Sequence, residues 1–253
     1  MVEPLLLTTS SIATYDGDRL LTRASGFFFE RAEQLFLVTS RHVLFDEPTA
    51  HRPNRIEVEF HTDADNLTRS RMMSVWLYDA GKAIWHQGGD ASGEIDVAVI
   101  ALDRQALPES AEWRAFTPDH LQASLDEIEV GSHLLIVGFP LGFHDTMHHL
   151  PVVRQGGIAS SFGVRFQGQG YFLTDARTHR GMSGAPVVMR DADGDPALPW
   201  KLLGVHSSRM DMGNRDRLQD ESLGLNCAWY ADMLLTLTDP RPPSVIDPPA
   251  PTP

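Results

Sequence analysis

Thr174-Asp175-Ala176-Arg177-Thr178-His179-Arg180-Gly181-Met182-Ser183-Gly184-Ala185-Pro186 decides how this chain reads. Ser183 is set between Gly181 and Gly184, and a β-branched pair, Val187-Val188, follows at once. Glycine reaches backbone conformations closed to other residues. A Gly-x-Ser-Gly loop can therefore turn two amides toward one point, where charge developing on a carbonyl oxygen would sit. That arrangement suits a nucleophile on a tight loop ahead of a strand. The same four residues also suit a plain hairpin turn, in which glycine and serine are common.

Two other segments bear on the choice. In Leu35-Phe36-Leu37-Val38-Thr39-Ser40-Arg41-His42-Val43-Leu44 an apolar strand runs into Thr-Ser, and a histidine stands just past its end. In Glu94-Ile95-Asp96-Val97-Ala98-Val99-Ile100-Ala101-Leu102 an acid opens a strongly apolar strand. Asp90 and Glu94 are nearby alternatives, but Asp96 begins the apolar run, where a carboxylate can be buried and oriented. His, Asp and Ser then follow one another in the chain order of the chymotrypsin β-barrels, which differs from the orders found on unrelated folds.

With these three segments in place, the chain resembles the trypsin-like (chymotrypsin-fold) serine peptidases, above all the bacterial forms related to the HtrA proteases. Ser25-Gly26-Phe27-Phe28-Phe29 is similar to their Gly-rich second strand, and Val38-Thr39-Ser40-Arg41-His42-Val43 to their Thr-Ala-x-His-Val. Asp96-Val97-Ala98-Val99, Gly138-Phe139-Pro140-Leu141-Gly142, Gly156-Gly157-Ile158-Ala159-Ser160 and Leu203-Gly204-Val205 match further motifs in order, over roughly residues 20 to 235. The resemblance implies a bacterial, cofactor-free serine endopeptidase acting on proteins or peptides. His42, Asp96 and Ser183 would be its triad, and the N–H groups of Gly181 and Ser183 its oxyanion hole. Where digestive relatives carry an aspartate that pairs with a freshly cut N-terminus, this chain carries Met182, so activation of that kind is not expected. No PDZ-sized segment is read in the chain.

The strand signals agree with an all-β reading. Short Val/Ile/Phe/Leu runs are separated by Gly, Pro, Asn and Asp, at Arg55–Phe60, Met72–Tyr78, Ile95–Leu102, Ser132–Gly138, Val152–Ser161, Tyr171–Asp175, Ala185–Met189 and Lys201–His206. The pattern predicts two six-stranded antiparallel β-barrels within a domain covering 1–238, barrel 1 at about 5–110 and barrel 2 at about 125–225. A short C-terminal helix is expected at about 228–237. The apolar patch near Leu5-Leu6-Leu7 reads as a first strand. From Asp239 to Pro253 the chain has seven prolines in fifteen residues, so it reads as an extended or disordered tail.

Composition narrows the setting. The chain of 253 residues carries 21 basic and 34 acidic side chains, a net charge of −13, which disfavours nucleic acid and anionic membrane as partners. No run approaches the ~20 apolar residues of a membrane-spanning helix. Cys227 is the single cysteine, so no internal disulfide forms, and a reducing, cytoplasmic compartment fits. It reads as a buried, inert thiol. His144, His148 and His149 form His-x₃-His-His, but cysteine ligands are absent and the segment reads as a loop, so no metal site is expected.

Part of the specificity can be read. Thr178 lies five residues before Ser183, and His206 follows Gly204-Val205. This spacing resembles that of bacterial glutamate-specific endopeptidases and of the glutamine-reading chymotrypsin-like cysteine proteases of picornaviruses. There the matching Thr and His line the pocket for the residue before the cut, and both can donate hydrogen bonds to an acid or amide. Arg177 would add positive charge, and Ser207, Ser208 and Arg209 would pair with the substrate backbone as an added strand. Two alternatives stay open: a catalytically latent binding or scaffold module, and a protease that an activating or restraining protein controls.

Overall fold

Between Arg55 and His61 apolar and polar side chains alternate. The strand formed there buries Ile56, Val58 and Phe60 and leaves Glu57 and Glu59 partly exposed, as the two-residue period of a strand requires. Leu35 to Val38 and Val97 to Ile100 are instead apolar without a break and buried throughout. The computed structural model, which describes residues 2–90, 93–210 and 223–240, explains the difference. These strands have a core on each face.

The first half is an antiparallel sheet of β1 (Thr9–Asp16), β2 (Arg19–Arg31), β3 (Gln34–Thr39), β4 (Arg55–His61) and β5 (Ser70–Trp76), then β8 (Trp85–Asp90) and β9 (Gly93–Leu102). A small hairpin, β6 (Tyr78–Asp79) with β7 (Lys82–Ala83), lies between β5 and β8. The strand order is β5-β4-β1-β2-β3-β9-β8. The sheet thus has seven strands where the sequence predicts six. β8 turns Trp85 and Gln87 inward, and the indole N–H donates to Gln87 Oε1 at 3.0 Å, so the strand carries a buried polar residue.

The second half has six strands: β10 (His133–Gly138), β11 (Val152–Gly157), β12 (Tyr171–Thr174), β13 (Pro186–Arg190), β14 (Trp200–Arg209) and β15 (Asn226–Tyr230), in the order β11-β10-β13-β14-β15-β12. Past the end of β11 the Ala159 N–H donates to Leu173 O at 2.8 Å, and Ile158 bridges Thr174, so the sheet closes on itself. The fold is therefore all-β with two barrel-like halves.

Two local expectations are corrected. Residues 228–230 extend β15 instead of opening a helix, because all five of its residues are buried between β12 and β14. The second half therefore runs past 225 to Tyr230, and the helical end begins with a 3₁₀ turn at Ala231–Met233 before helix α2 (Leu234–Leu237). A one-turn helix α1 (Arg41–Leu44) follows β3. The Leu5-Leu6-Leu7 patch forms a 3₁₀ turn behind Pro4, not a strand. From 241 on, the proline-rich tail lies outside the described residues. Among the described residues no helix is long and apolar enough to cross a membrane.

Alternation along the doubly covered strands sorts their side chains. Phe28, Leu35, Leu37, Ala98 and Ile100 fill the first half, and Leu134, Ile136, Val187 and Leu203 fill the second. Phe27, Phe29, Phe36, Val38, Val97 and Val99 meet Val137, Val188, Leu202, Val205 and Trp229 in a shared core between the halves. The connecting segment is strapped to β2: Phe116 N donates to Phe28 O at 3.0 Å and Phe116 O accepts from Glu30 N at 2.7 Å. Its ring stands edge-on to Phe27 with centroids 5.8 Å apart, fully buried. Phe116→Ala is expected to lower unfolding stability by about 3–5 kcal/mol, through lost burial and the cavity left at the junction. Chemical denaturation of the two proteins measures this, and a loss below about 1 kcal/mol would mean the junction repacks.

Candidate active site

His42 sits in the single turn α1 immediately after β3, and Asp96 lies in β9, the strand paired with β3. The pairing puts the acid beside the histidine. Asp96 Oδ2 is 2.7 Å from His42 Nδ1, and Asp96 Oδ1 accepts the His42 backbone N–H at 2.9 Å. A two-point grip of this kind fixes both the position of the turn and the orientation of the ring. Ser207 Oγ also donates to Asp96 Oδ2, at 2.5 Å. Sequence reasoning gave Ser207 a backbone role only; its side chain is in fact a third donor to the acid.

Burial by itself would lower the His42 pKa. The hydrogen bond and charge of Asp96 outweigh it, and the pKa is raised above the ordinary histidine value. Burial would likewise raise Asp96, but His42 and Ser207 hold its carboxyl below the usual range. The other candidate acids are engaged elsewhere. Glu94 pairs with Arg41 at 3.1 Å, and Asp90 accepts from Arg165 at 2.7 Å.

Ser183 lies on the loop before β13 and lines one cleft of about 1120 Å³ together with His42 and Gly181. Its hydroxyl donates to Ser207 O at 3.0 Å rather than to His42. Catalytic hydrogen bonds often align only once substrate is present. Gly181 has φ +91°, and a Cβ there would stand 2.4 Å from Phe139 O. Leu141 N donates to Arg180 O, which turns the Arg180 carbonyl, and with it the Gly181 N–H, in opposite directions across one planar peptide. The N–H groups of Gly181 and Ser183 have no acceptor among the described residues. Met182 between them is fully buried in the core of the second half, so the loop is anchored by apolar packing.

The loop is also held from the other half by a residue that sequence reasoning treated only as part of a strand. Ser25, fully buried in β2, donates its hydroxyl to Gly181 O at 2.7 Å and its backbone N–H to Ser183 O at 3.0 Å. The same hydroxyl accepts from Phe139 N at 3.0 Å. Thr39 Oγ1 donates to Ser25 O at 2.8 Å, and Ser40 Oγ to His206 O at 3.2 Å. Gly184, at φ +84°, makes this contact possible, since a Cβ there would be 2.2 Å from Ser25 O and from Thr39 Oγ1.

The expected specificity residues divide. His206 is buried, Nδ1 has no partner, and burial, with the nearby His42 adding to it, pushes its pKa down to about 3, so the ring is neutral. Thr178 is buried and donates to Asn226 Oδ1 at 2.5 Å. Asn226 and Ala228 share a face of β15, and Ala228 is the partner of His206 across the sheet, so Thr178 and His206 converge on one stretch of that strand. Arg177 is exposed, and Ser208 is exposed with its hydroxyl beside Cys227; none of the five expected substrate-binding residues lines the cleft that Ser183 shares with His42. Burial pushes the Cys227 thiol up to about 11, so it stays protonated and unreactive. His144 bonds Gly142 O, while His148 and His149 pair with Asp145 and Glu59. Among the described residues no group of three His, Cys, Asp or Glu is placed to hold a metal ion.

A family model described as the trypsin-like peptidase domain matches residues 24–195. The chain belongs to this family. Solved structures of similar fold include "HtrA-type protease AlgW" with a tripeptide, at 19% identity and TM-score 0.56, covering 91% of this chain and 58% of that one. They also include the serine endoprotease from Yersinia pestis, at 17% identity and TM-score 0.53, covering 90% and 60%. This chain thus spans about three-fifths of the length of either. No curated protein matches the sequence.

Ser25→Ala removes the hydroxyl that joins Gly181 O to Phe139 N. If Ser183 is the nucleophile that its sequence context implies, freeing its loop by even an ångström is expected to slow acylation by a p-nitrophenyl ester about 10²-fold. Burst kinetics measure this well below the melting temperature of the variant. An unchanged burst rate in a folded variant would make the contact purely structural.

Proposed function

We propose that the chain is a serine endopeptidase that works through an acyl-enzyme. The observation that carries the reading is the two-point grip of Asp96 on His42 at the wall of the cleft that Ser183 also lines. A serine hydroxyl is a weak nucleophile and needs an adjacent base. His42 Nε2 takes the Ser183 proton as Oγ attacks the scissile carbonyl, then gives it to the leaving amine. Asp96 keeps the proton-bearing Nδ1 fixed and stabilises the imidazolium. The Gly181 and Ser183 N–H groups receive the oxyanion, each worth about 10²–10³ in rate. Ser207 O, which accepts the Ser183 hydroxyl at rest, is the acceptor for the substrate backbone N–H, so binding of substrate frees the hydroxyl to turn to His42.

The pocket for the residue before the cut is proposed to read glutamine or glutamate. A neutral His206 offers one N–H to a side-chain carbonyl oxygen. The Thr178 hydroxyl, its proton committed to Asn226, is left to accept from an amide NH₂. Both features favour glutamine over glutamate. A latent binding module is the second reading, and its support is the Ser183 hydroxyl resting on Ser207 O instead of His42.

Digestion of a proteome-derived peptide library by wild type and Ser183→Ala tests both readings. Cuts made only by wild type, following Gln more often than Glu, are expected. Cuts following Arg, Lys or aromatic residues would remove the pocket assignment, and no cuts at all would favour the binding module. The pH profile is a separate check. The base must be neutral, and Asp96 raises the pKa of His42, so kcat/KM falls as pH drops through a midpoint above the ordinary value of 6.5. Asp96→Asn removes the charge that favours imidazolium, so this midpoint moves to lower pH while kcat drops about 10⁴-fold. A midpoint unmoved by Asp96→Asn would detach the acid from the base.

A further inference from the structure

The cleft beside Ser183 has one more property, its charge. Besides His42 and Ser183 it is lined by Arg19, Arg23, Arg52 and Arg180, against Asp16 and Asp46. Asp16 is engaged by Arg19 at 3.2 Å, and Asp46 accepts from the Thr49 hydroxyl. Arg52 lies over the Phe45 ring, 5.5 Å from its centroid. Arg23 and Arg180 have no acid partner among the described residues, and both border the same turn. The Arg23 side chain comes within 3.1 Å of the Cβ position at Gly142, and the Arg180 carbonyl accepts from Leu141 N. In a chain of net charge −13, four guanidinium groups against two carboxylates make the lining of this cleft locally basic.

The position of the cleft identifies what it meets. On the peptidase reading proposed above, the acyl side of a substrate runs along β14, whose Ser207 carbonyl lies 3.0 Å from Ser183 Oγ. No residue of β14 or β15 lines the cleft; its walls come from the start of β2, the segment 46–52 and the loops at Leu141 and Arg180. It therefore lies on the other side of Ser183, toward the leaving group. β1 pairs with β2 from Arg19 to Phe27, whereas β3 covers the opposite edge of β2 only from Phe27 onward. The edge from Arg19 to Ala24 is left without a strand partner, and an extended chain can be added there.

We infer that this cleft is a subsite for acidic side chains in the first three residues after the cut. The inference rests on the peptidase reading. Guanidinium groups bind carboxylates in paired hydrogen bonds, so substrates with aspartate or glutamate after the scissile bond are selected.

The test uses two peptides built on one sequence cut from the library, identical up to the scissile bond. One carries Glu at the second and third positions after it, the other Gln. Wild type is expected to cleave the acidic peptide with kcat/KM about tenfold higher, an advantage that shrinks as salt screens the charges. Arg23→Glu is expected to reduce that advantage, the ratio of the two kcat/KM values, at least threefold. Equal cleavage of the two peptides by wild type would overturn the subsite and leave the peptidase reading intact. If no library peptide is cut, binding of the same Glu/Gln pair, built on an arbitrary sequence, to Ser183→Ala decides. Tighter binding of the acidic peptide, lost in Arg23→Glu, would keep the acid subsite and remove the peptidase, and equal binding would remove both.

Discussion

One buried hydroxyl, that of Ser25, ties the two halves of this protein together at the point where the chemistry is proposed to occur. It donates to Gly181 O and accepts from Phe139 N, and its own backbone N–H holds Ser183 O. Each of these backbone groups would be costly to bury unpaired. The loop that carries Ser183 is therefore specified by the other half of the molecule, not by its own sequence alone. Gly184 allows the approach and Met182 fills the space behind it. The shared apolar core supplies the rigidity against which such a contact can hold its geometry.

Asp96 and His42 are positioned by a different route. β3 and β9 are neighbours in the first sheet, so the turn after one and the start of the other are adjacent by register. Asp96 there accepts from two groups of His42 and from Ser207, a residue of the second half. A carboxylate with three donors stays ionised despite its burial, and an ionised carboxylate is what raises the basicity of His42. The two routes meet at Ser207, whose hydroxyl serves the acid and whose carbonyl receives the Ser183 hydroxyl.

Much of this was legible in the sequence, for a physical reason. Strands with a core on each face appear as unbroken apolar runs, and His42 and Asp96 each mark an end of such a run, so both their identity and their context stand out. Ser183 stands out through its glycines. Ser25 does not: its partners are 114 and 156 residues away, and a serine before Gly26 in a strand carries no local sign of a tertiary bond. The four cleft arginines are similarly scattered in sequence and become one feature only when β2 is folded against the Leu141 loop. At the C-terminal end, Asn226 to Tyr230 is apolar enough for either a buried strand or a helix, and tertiary pairing with β12 and β14 decides for strand.

The central claim is that Ser183 is made nucleophilic by His42. Covalent labelling with a fluorophosphonate, with the modified residue located by peptide mass spectrometry, tests it most directly. The account predicts a single adduct on Ser183 in the wild-type protein and none in a folded His42→Ala variant. A wild-type protein that stays unlabelled, or an adduct on Ser183 that persists without His42, would contradict it.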